Sequence, residues 1–226
     1  MTRPVVGRPR LYLKLGRVSN LPTVWTNALA GMVLGGGARD AGTAVRLGAS
    51  LSLFYVGGMF LNDAFDRDID LRERPERPIP AGQISAAEVF AVGFGLLVAG
   101  LGLLAWTASS HPGVVASAVL SGVVLACLVV LYDAWHKQNP LSPIVMGACR
   151  GAVYVAAAFG SGGRATPALI GGAAVVWAYT VGLTFVARQE NRRSYRAGGT
   201  LALLASPVLV AGLGPSTGVV VWGPLT

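Results

Sequence analysis

Six apolar stretches of about 18–23 residues, at roughly 18–37, 44–61, 86–108, 114–132, 141–160 and 167–187, are separated by short polar or Gly/Pro-containing interruptions. Wound as a helix at 1.5 Å per residue, a stretch of that length matches the roughly 30 Å hydrocarbon core of a bilayer. Hydrocarbon offers no hydrogen bonds, so each stretch must satisfy its backbone internally, as an α-helix does. A seventh stretch follows at 199–212, and residues 217–226 begin another that is too short to cross alone. Only 12% of residues are charged, about half the usual share of a soluble domain. The expected fold is therefore all-α: a polytopic transmembrane helical bundle, read as one domain over residues 1–226.

The 18 Lys and Arg residues and the net charge of +8 raise nucleic acid as a partner. Their placement argues against it. With the N-terminus in the cytoplasm, 14 of them fall on cytoplasmic segments and three, Arg39, Arg46 and Arg164, on the other side. That asymmetry is the positive-inside pattern of a plasma- or inner-membrane protein. Arg150 lies within a span, where a charge ordinarily faces the bundle interior or a wet cavity. No cleavable signal peptide is evident, so the first span is expected to serve as the insertion signal. Leu11-Tyr12-Leu13, within a basic lead-in, reads as part of a short interfacial amphipathic helix. Cys127 and Cys149 sit inside spans, and no disulfide is inferred.

The second span runs into Asn62-Asp63-Ala64-Phe65-Asp66-Arg67-Asp68-Ile69-Asp70. Asn62, Asp66 and Asp70 recur every four residues, which places them on one helix face over about three turns. Oxygen ligands suit a hard cation, and Mg²⁺ is typically held by one or two carboxylates together with substrate phosphates. Arg67, Arg72, Arg74 and Arg77 follow, and guanidinium groups pair well with phosphate. The combination points to a diphosphate site at a membrane surface. The alternative is a solvated helix end whose acids and arginines neutralise one another. Pro75, Pro78 and Pro80 forbid a regular helix over 71–84, and Ser85-Ala86-Ala87-Glu88 fits a capping box that opens the third span.

Asn62-x3-Asp66-x3-Asp70, followed by Arg77-Pro78-Ile79-Pro80-Ala81-Gly82, resembles the UbiA family of intramembrane prenyltransferases. Tyr132 to Lys137, then Gly147 and Arg150, extend the resemblance over most of the chain, and the Tyr-Asp-x-Trp and Gly-x-Cys-Arg pieces are most similar to the EboC-like branch. The resemblance implies a helical bundle around a central cavity. It also implies Mg²⁺-dependent transfer of a prenyl group from an isoprenyl diphosphate to a small acceptor, often aromatic. In that reading Asn62, Asp66 and Asp70 hold the metal, helped by Glu190. Arg77 and Lys137 contact phosphate, with Arg67 and Tyr132 beside them, and Arg150 serves either the acceptor or the diphosphate, unless it is a buried structural charge. Phe65, Tyr132 or Tyr154 would either face the developing carbocation or simply pack.

Two departures from the family pattern stand out. A second Asp-x3-Asp motif is expected after the sixth span, but Arg188-Gln189-Glu190-Asn191-Arg192-Arg193-Ser194 holds only one acid. The family bundle has nine helices, against seven and a fragment here, which reads as C-terminal truncation or as a reduced bundle. A non-catalytic lipid-binding scaffold or a transporter on the same fold is the alternative that these departures favour.

Overall fold

The computed structural model describes residues 7–137, 139–189 and 202–207. Among them α1 covers Arg8–Leu15, α2 Leu21–Leu34, α3 Ala41–Phe65, α4 Arg67–Glu73, α5 Ala86–Ala108, α6 Val115–Trp135, α7 Ser142–Gly160 and α8 Pro167–Gln189. Five helices, α3 and α5 to α8, are long and apolar enough to cross a membrane. The chain is an integral, multi-pass membrane protein. Large side chains that face outward, such as Val98 at 71% and Leu120 at 65% exposure, would meet lipid rather than water.

Helix starts follow local chemistry. Asp40 caps α3 by accepting from the Thr43 N–H at 2.8 Å, and Ser85 caps α5 by accepting from the Glu88 N–H at 3.1 Å. Only that half of the expected capping box forms, because the Glu88 carboxylate instead accepts from the Tyr12 hydroxyl at 2.5 Å. α5 begins and ends where the third span was predicted.

Two expectations are corrected. The first predicted span, 18–37, is a 3₁₀ turn at Val18–Asn20 followed by the 14-residue α2, about 21 Å long and short of a bilayer core. Pro22 sits in the first turn of α2, and Gly36, at φ 66°, lies just past its end. The acidic stretch is likewise not one helix. Asp66 is both the last cap of α3 and the first of α4. The face survives the joint, because the Asp66 N–H still bonds the Asn62 carbonyl and the Asp70 N–H the Asp66 carbonyl. The predicted seventh span and the 217–226 stretch lie outside the described residues except for 202–207.

The core lies where α2, α3, α5, α6 and α7 meet, around Met32, Leu47, Phe54, Leu97, Leu104 and Leu125. Small residues set its tightness, as in other membrane bundles. A Cβ on Gly57 of α3 would stand 2.9 Å from the Gly93 carbonyl of α5. A Cβ on Gly31 would collide with the Tyr154 carbonyl of α7. Gly31→Val should therefore destabilise the bundle by about 1–3 kcal/mol, as overpacking does. A thermal or SDS-induced unfolding midpoint equal to wild type would contradict the contact. α1 forms as an amphipathic helix. Its apolar face packs on protein, with Leu11 and Leu15 buried against Phe60, Ala64, Ile84 and Val89. That packing, with the Tyr12–Glu88 bond, pins α1 beneath the acidic end of α3.

Candidate active site

The ends of α3 and α6, the start of α7, α4 and the link from α1 to α2 converge at one end of the bundle. Four carboxylates gather there, and all are buried: Asp63 is 9% exposed, Asp66 and Asp133 4%, and Asp70 1%. Buried carboxylates require partners, and each has one. Arg77 Nη1 lies 2.6 Å from Asp70 Oδ2 and 3.4 Å from Asp63 Oδ1. Arg17 Nη2 lies 3.1 Å from Asp63 Oδ1. Lys137 Nζ lies 3.3 Å, and His136 Nε2 3.6 Å, from Asp66 Oδ2. Asn62 Nδ2 donates to Asp133 Oδ1 at 3.2 Å.

Local sequence positions the cations. The prolines stop α4, and the loop after it folds on its own bonds, from the Ala81 N–H to the Arg77 carbonyl and from the Gln83 N–H to the Pro78 carbonyl. Gly82 supplies the required positive φ of 71°. This turn brings Arg77 back over α3. Arg17 has φ 44°, ψ 44°, a left-handed conformation that costs a non-glycine residue about 1–2 kcal/mol. The turn there carries the Arg17 side chain from the end of α1 across to Asp63.

His136 has acceptors on both ring nitrogens, Asp66 Oδ2 and the Asp133 carbonyl at 3.2 Å, so the doubly protonated ring satisfies both. Burial opposes protonation of His136, but the hydrogen bond and charge of Asp66 outweigh it and raise its pKa above the ordinary 6.5. Burial likewise pushes Asp66 up, and the bonds and charges of His136 and Lys137 reverse this, leaving its pKa below the ordinary 3.8. The Asp66 part of this interaction is present above pH 3.8 and lost as pH falls through its lowered value. The His136 part is complete below pH 6.5 and lost as pH rises through its raised value.

Beside this cluster a cavity of about 250 Å³ enters the apolar interior, lined among others by Arg17, Leu51, Phe54, Tyr132, Asp133 and Arg150. A wider groove of about 340 Å³ between α6 and α7 has no charged residue in its lining. The structure thus brings Asn62, Asp66, Asp70, Arg77 and Lys137 into one cluster that adjoins the cavity through Asp133 and Arg17, with Tyr132 and Arg150 in the cavity wall. Arg67 is not with them: its Nε pairs with the exposed Asp68 at 3.5 Å, and its guanidinium lies over the Phe90 ring. Phe65 packs edge-on against Phe90, and only Tyr132 of the three aromatic candidates lines the cavity. Glu190 lies outside the described residues.

Sequence reasoning missed Arg17, Asp63, Asp133 and His136. Asp133 had a readable signal, since an acid in the last turn of an apolar span is costly unless it has work inside the bundle. Asp63 was passed over because it breaks the four-residue spacing.

Among the described residues no three Asp, Glu, His or Cys side chains form a ready-made metal cage. The donors nevertheless fit a hard cation. They are oxygens, and Asp70 Oδ1 is buried without a partner among the described residues.

The fold and site together define a polytopic membrane bundle with a charged cluster beside a cavity at one end. The chain belongs to the UbiA prenyltransferase family, whose profile matches residues 24–223. It is 39% identical over 94 residues to digeranylgeranylglyceryl phosphate synthase of Ignicoccus hospitalis, covering 42% of this chain and 30% of that protein. It is 38% identical over 104 residues to protoheme IX farnesyltransferase of Bacillus pumilus, covering 45% and 32%. The chain thus matches about a third of the length of these relatives. Two solved structures share the fold. An apo UbiA homologue from Aeropyrum pernix has a TM-score of 0.67 at 19% identity, covering 88% of this chain and 82% of that one. A UbiA homologue from Archaeoglobus fulgidus, bound to DMAPP and Mg²⁺, has 0.61 at 17%, covering 79% and 64%.

Proposed function

We propose that this chain transfers a prenyl group from an isoprenyl diphosphate to a small acceptor within the membrane, with Mg²⁺ bound at the diphosphate. The observation that carries the reading is the set of buried carboxylates paired with partly exposed cations beside an apolar cavity. Family membership supports it, as does the DMAPP and Mg²⁺ in the Archaeoglobus fulgidus homologue.

In the reaction the allylic C1–O bond breaks and its electron pair leaves on the diphosphate. The acceptor supplies the pair for the new bond to C1 and gives up a proton. Mg²⁺, when bound, neutralises charge on the diphosphate oxygens. Asn62, Asp66 and Asp70 would hold it, with Glu190 as a further ligand. Arg77, Lys137 and Arg17 now neutralise Asp70, Asp66 and Asp63. On arrival of metal and diphosphate they would turn to phosphate oxygens and stabilise the leaving group. The apolar walls keep water from the allylic cation. The test is release of diphosphate from radiolabelled geranylgeranyl diphosphate by purified protein with Mg²⁺ and a panel of acceptors. Tight binding without turnover would favour a lipid-binding scaffold.

The same reading puts the acidic end in the cytoplasm, by the basic asymmetry of the chain. A single cysteine at Arg74→Cys, in a background lacking Cys127 and Cys149, should resist an impermeant thiol reagent in intact cells, and one at Arg164→Cys should react. The reverse labelling would overturn the orientation.

A further inference from the structure

At the charged end of the bundle Arg17, Arg67, Arg77 and Lys137 each meet a carboxylate. Arg10 and Lys14 meet none among the described residues, and residues 1–17 contain no Asp or Glu that could supply one nearby. Both sit on α1 and both are exposed. Four residues apart, they are neighbours on one helix face, with Cβ atoms about 5–6 Å apart, where like charges repel. That face is held in place by the rest of α1. Leu11 and Leu15, on another side of the helix, are buried, and the Tyr12 hydroxyl donates to Glu88. Leu13, between the two cations in sequence, faces outward at 56% exposure. The Tyr12 ring lies 5.6 Å from that of Phe60, and a Cβ on Gly16 would stand 3.1 Å from Val56. α1 therefore lies against roughly the last three turns of α3, where that span ends.

We propose that this face of α1 binds the headgroup of an anionic phospholipid, its phosphate between Arg10 and Lys14 and its acyl chains starting beside Leu13. Two adjacent like charges call for an anion, and an outward leucine at the end of a span calls for hydrocarbon. A phospholipid supplies both in one molecule. A soluble anion or an acidic peptide supplies only the charge and leaves Leu13 in water. Phosphatidylcholine carries the same phosphate, but its own quaternary ammonium neutralises it, whereas the charge of phosphatidylglycerol is unopposed. Each basic residue at an anionic membrane surface is worth about a fivefold gain in binding, so the pair gives a preference of roughly 25-fold. The surface lies outside the diphosphate cluster, and its occupancy does not depend on prenyl transfer.

The experiment is titration of the full chain in uncharged detergent with palmitoyl-oleoyl phosphatidylglycerol and, separately, with the matched phosphatidylcholine, bound lipid being counted by native mass spectrometry. Wild type should prefer phosphatidylglycerol by about tenfold or more. Arg10→Gln/Lys14→Gln should lose most of that preference, and the charge-conserving Arg10→Lys/Lys14→Arg should keep it. The control is Arg72→Gln/Arg74→Gln. It removes the same charge from exposed positions at the same end, where Glu73 and Glu76 lie in the adjoining sequence, and it should keep the preference within about twofold. All four positions are exposed, so the thermal midpoints of the lipid-free variants should match wild type. Absence of a preference in wild type overturns the proposal, as does its survival in Arg10→Gln/Lys14→Gln. Equal loss in both glutamine pairs also overturns it, because net charge rather than a site on α1 then attracts the lipid. Displacement of phosphatidylglycerol by millimolar inorganic phosphate, or by a soluble polyglutamate peptide, assigns the face to a soluble anion and overturns it as well.

Discussion

Asp66→Asn should lower prenyl transfer by about 10²–10³-fold, the scale of losing one preorganised electrostatic contact to a developing charge. Asp66 sits at the joint of α3 and α4 and binds Lys137 and His136 through one oxygen. Asparagine preserves its shape and its place in the backbone bonding, so the protein should still elute as a folded species in detergent. What disappears is the charge that would hold Mg²⁺ and that now orients two cations. Diphosphate release from radiolabelled geranylgeranyl diphosphate, across a Mg²⁺ titration, reads the effect. Activity within threefold of wild type would remove Asp66 from the site.

Asp70→Leu should cost about 2–3 kcal/mol of stability. That is less than the roughly 3–5 kcal/mol of breaking a fully buried pair, because Arg77 keeps 21% exposure and a longer contact to Asp63. The double variant Asp70→Leu/Arg77→Met should be more stable than Asp70→Leu alone, since no cation is then left facing an apolar wall. Unfolding midpoints in SDS–detergent mixtures test this, and strict additivity of the two substitutions would show that the 2.6 Å pair contributes nothing by itself. Both variants should be inactive, so stability and turnover separate the structural role of Asp70 from its role toward the metal.

The alternative in which the acids and arginines merely neutralise each other was half right. The pairing exists, but its carboxylates Asp63, Asp66 and Asp70 are buried beside a cavity, while the cations stay partly exposed and, among the described residues, only Arg67 and Asp68 pair on the surface. The i, i+4, i+8 spacing of Asn62, Asp66 and Asp70 predicted a shared face, and backbone bonds carry that face across a joint that no periodicity signalled. The helix within the first predicted span is shorter than expected, because apolar content was weighed without the proline and the glycine run that bound α2.

By itself the sequence determined the helices α3 and α5 to α8 and the acidic end of the bundle. In a hydrocarbon solvent backbone bonding is local, so length and composition suffice to define a span. The family resemblance was also legible, because it rests on contiguous residues from Asn62 to Gly82. Only the tertiary structure decided which cation meets which acid. Arg17 and Asp63 are 46 residues apart, and Asn62 and Asp133 are 71 apart. Their meeting depends on which helices are neighbours and how closely Gly31, Gly57 and Gly93 let them approach. It likewise set Arg150 of α7 and Asp133 of α6 on the wall of one cavity, a juxtaposition that no local pattern records.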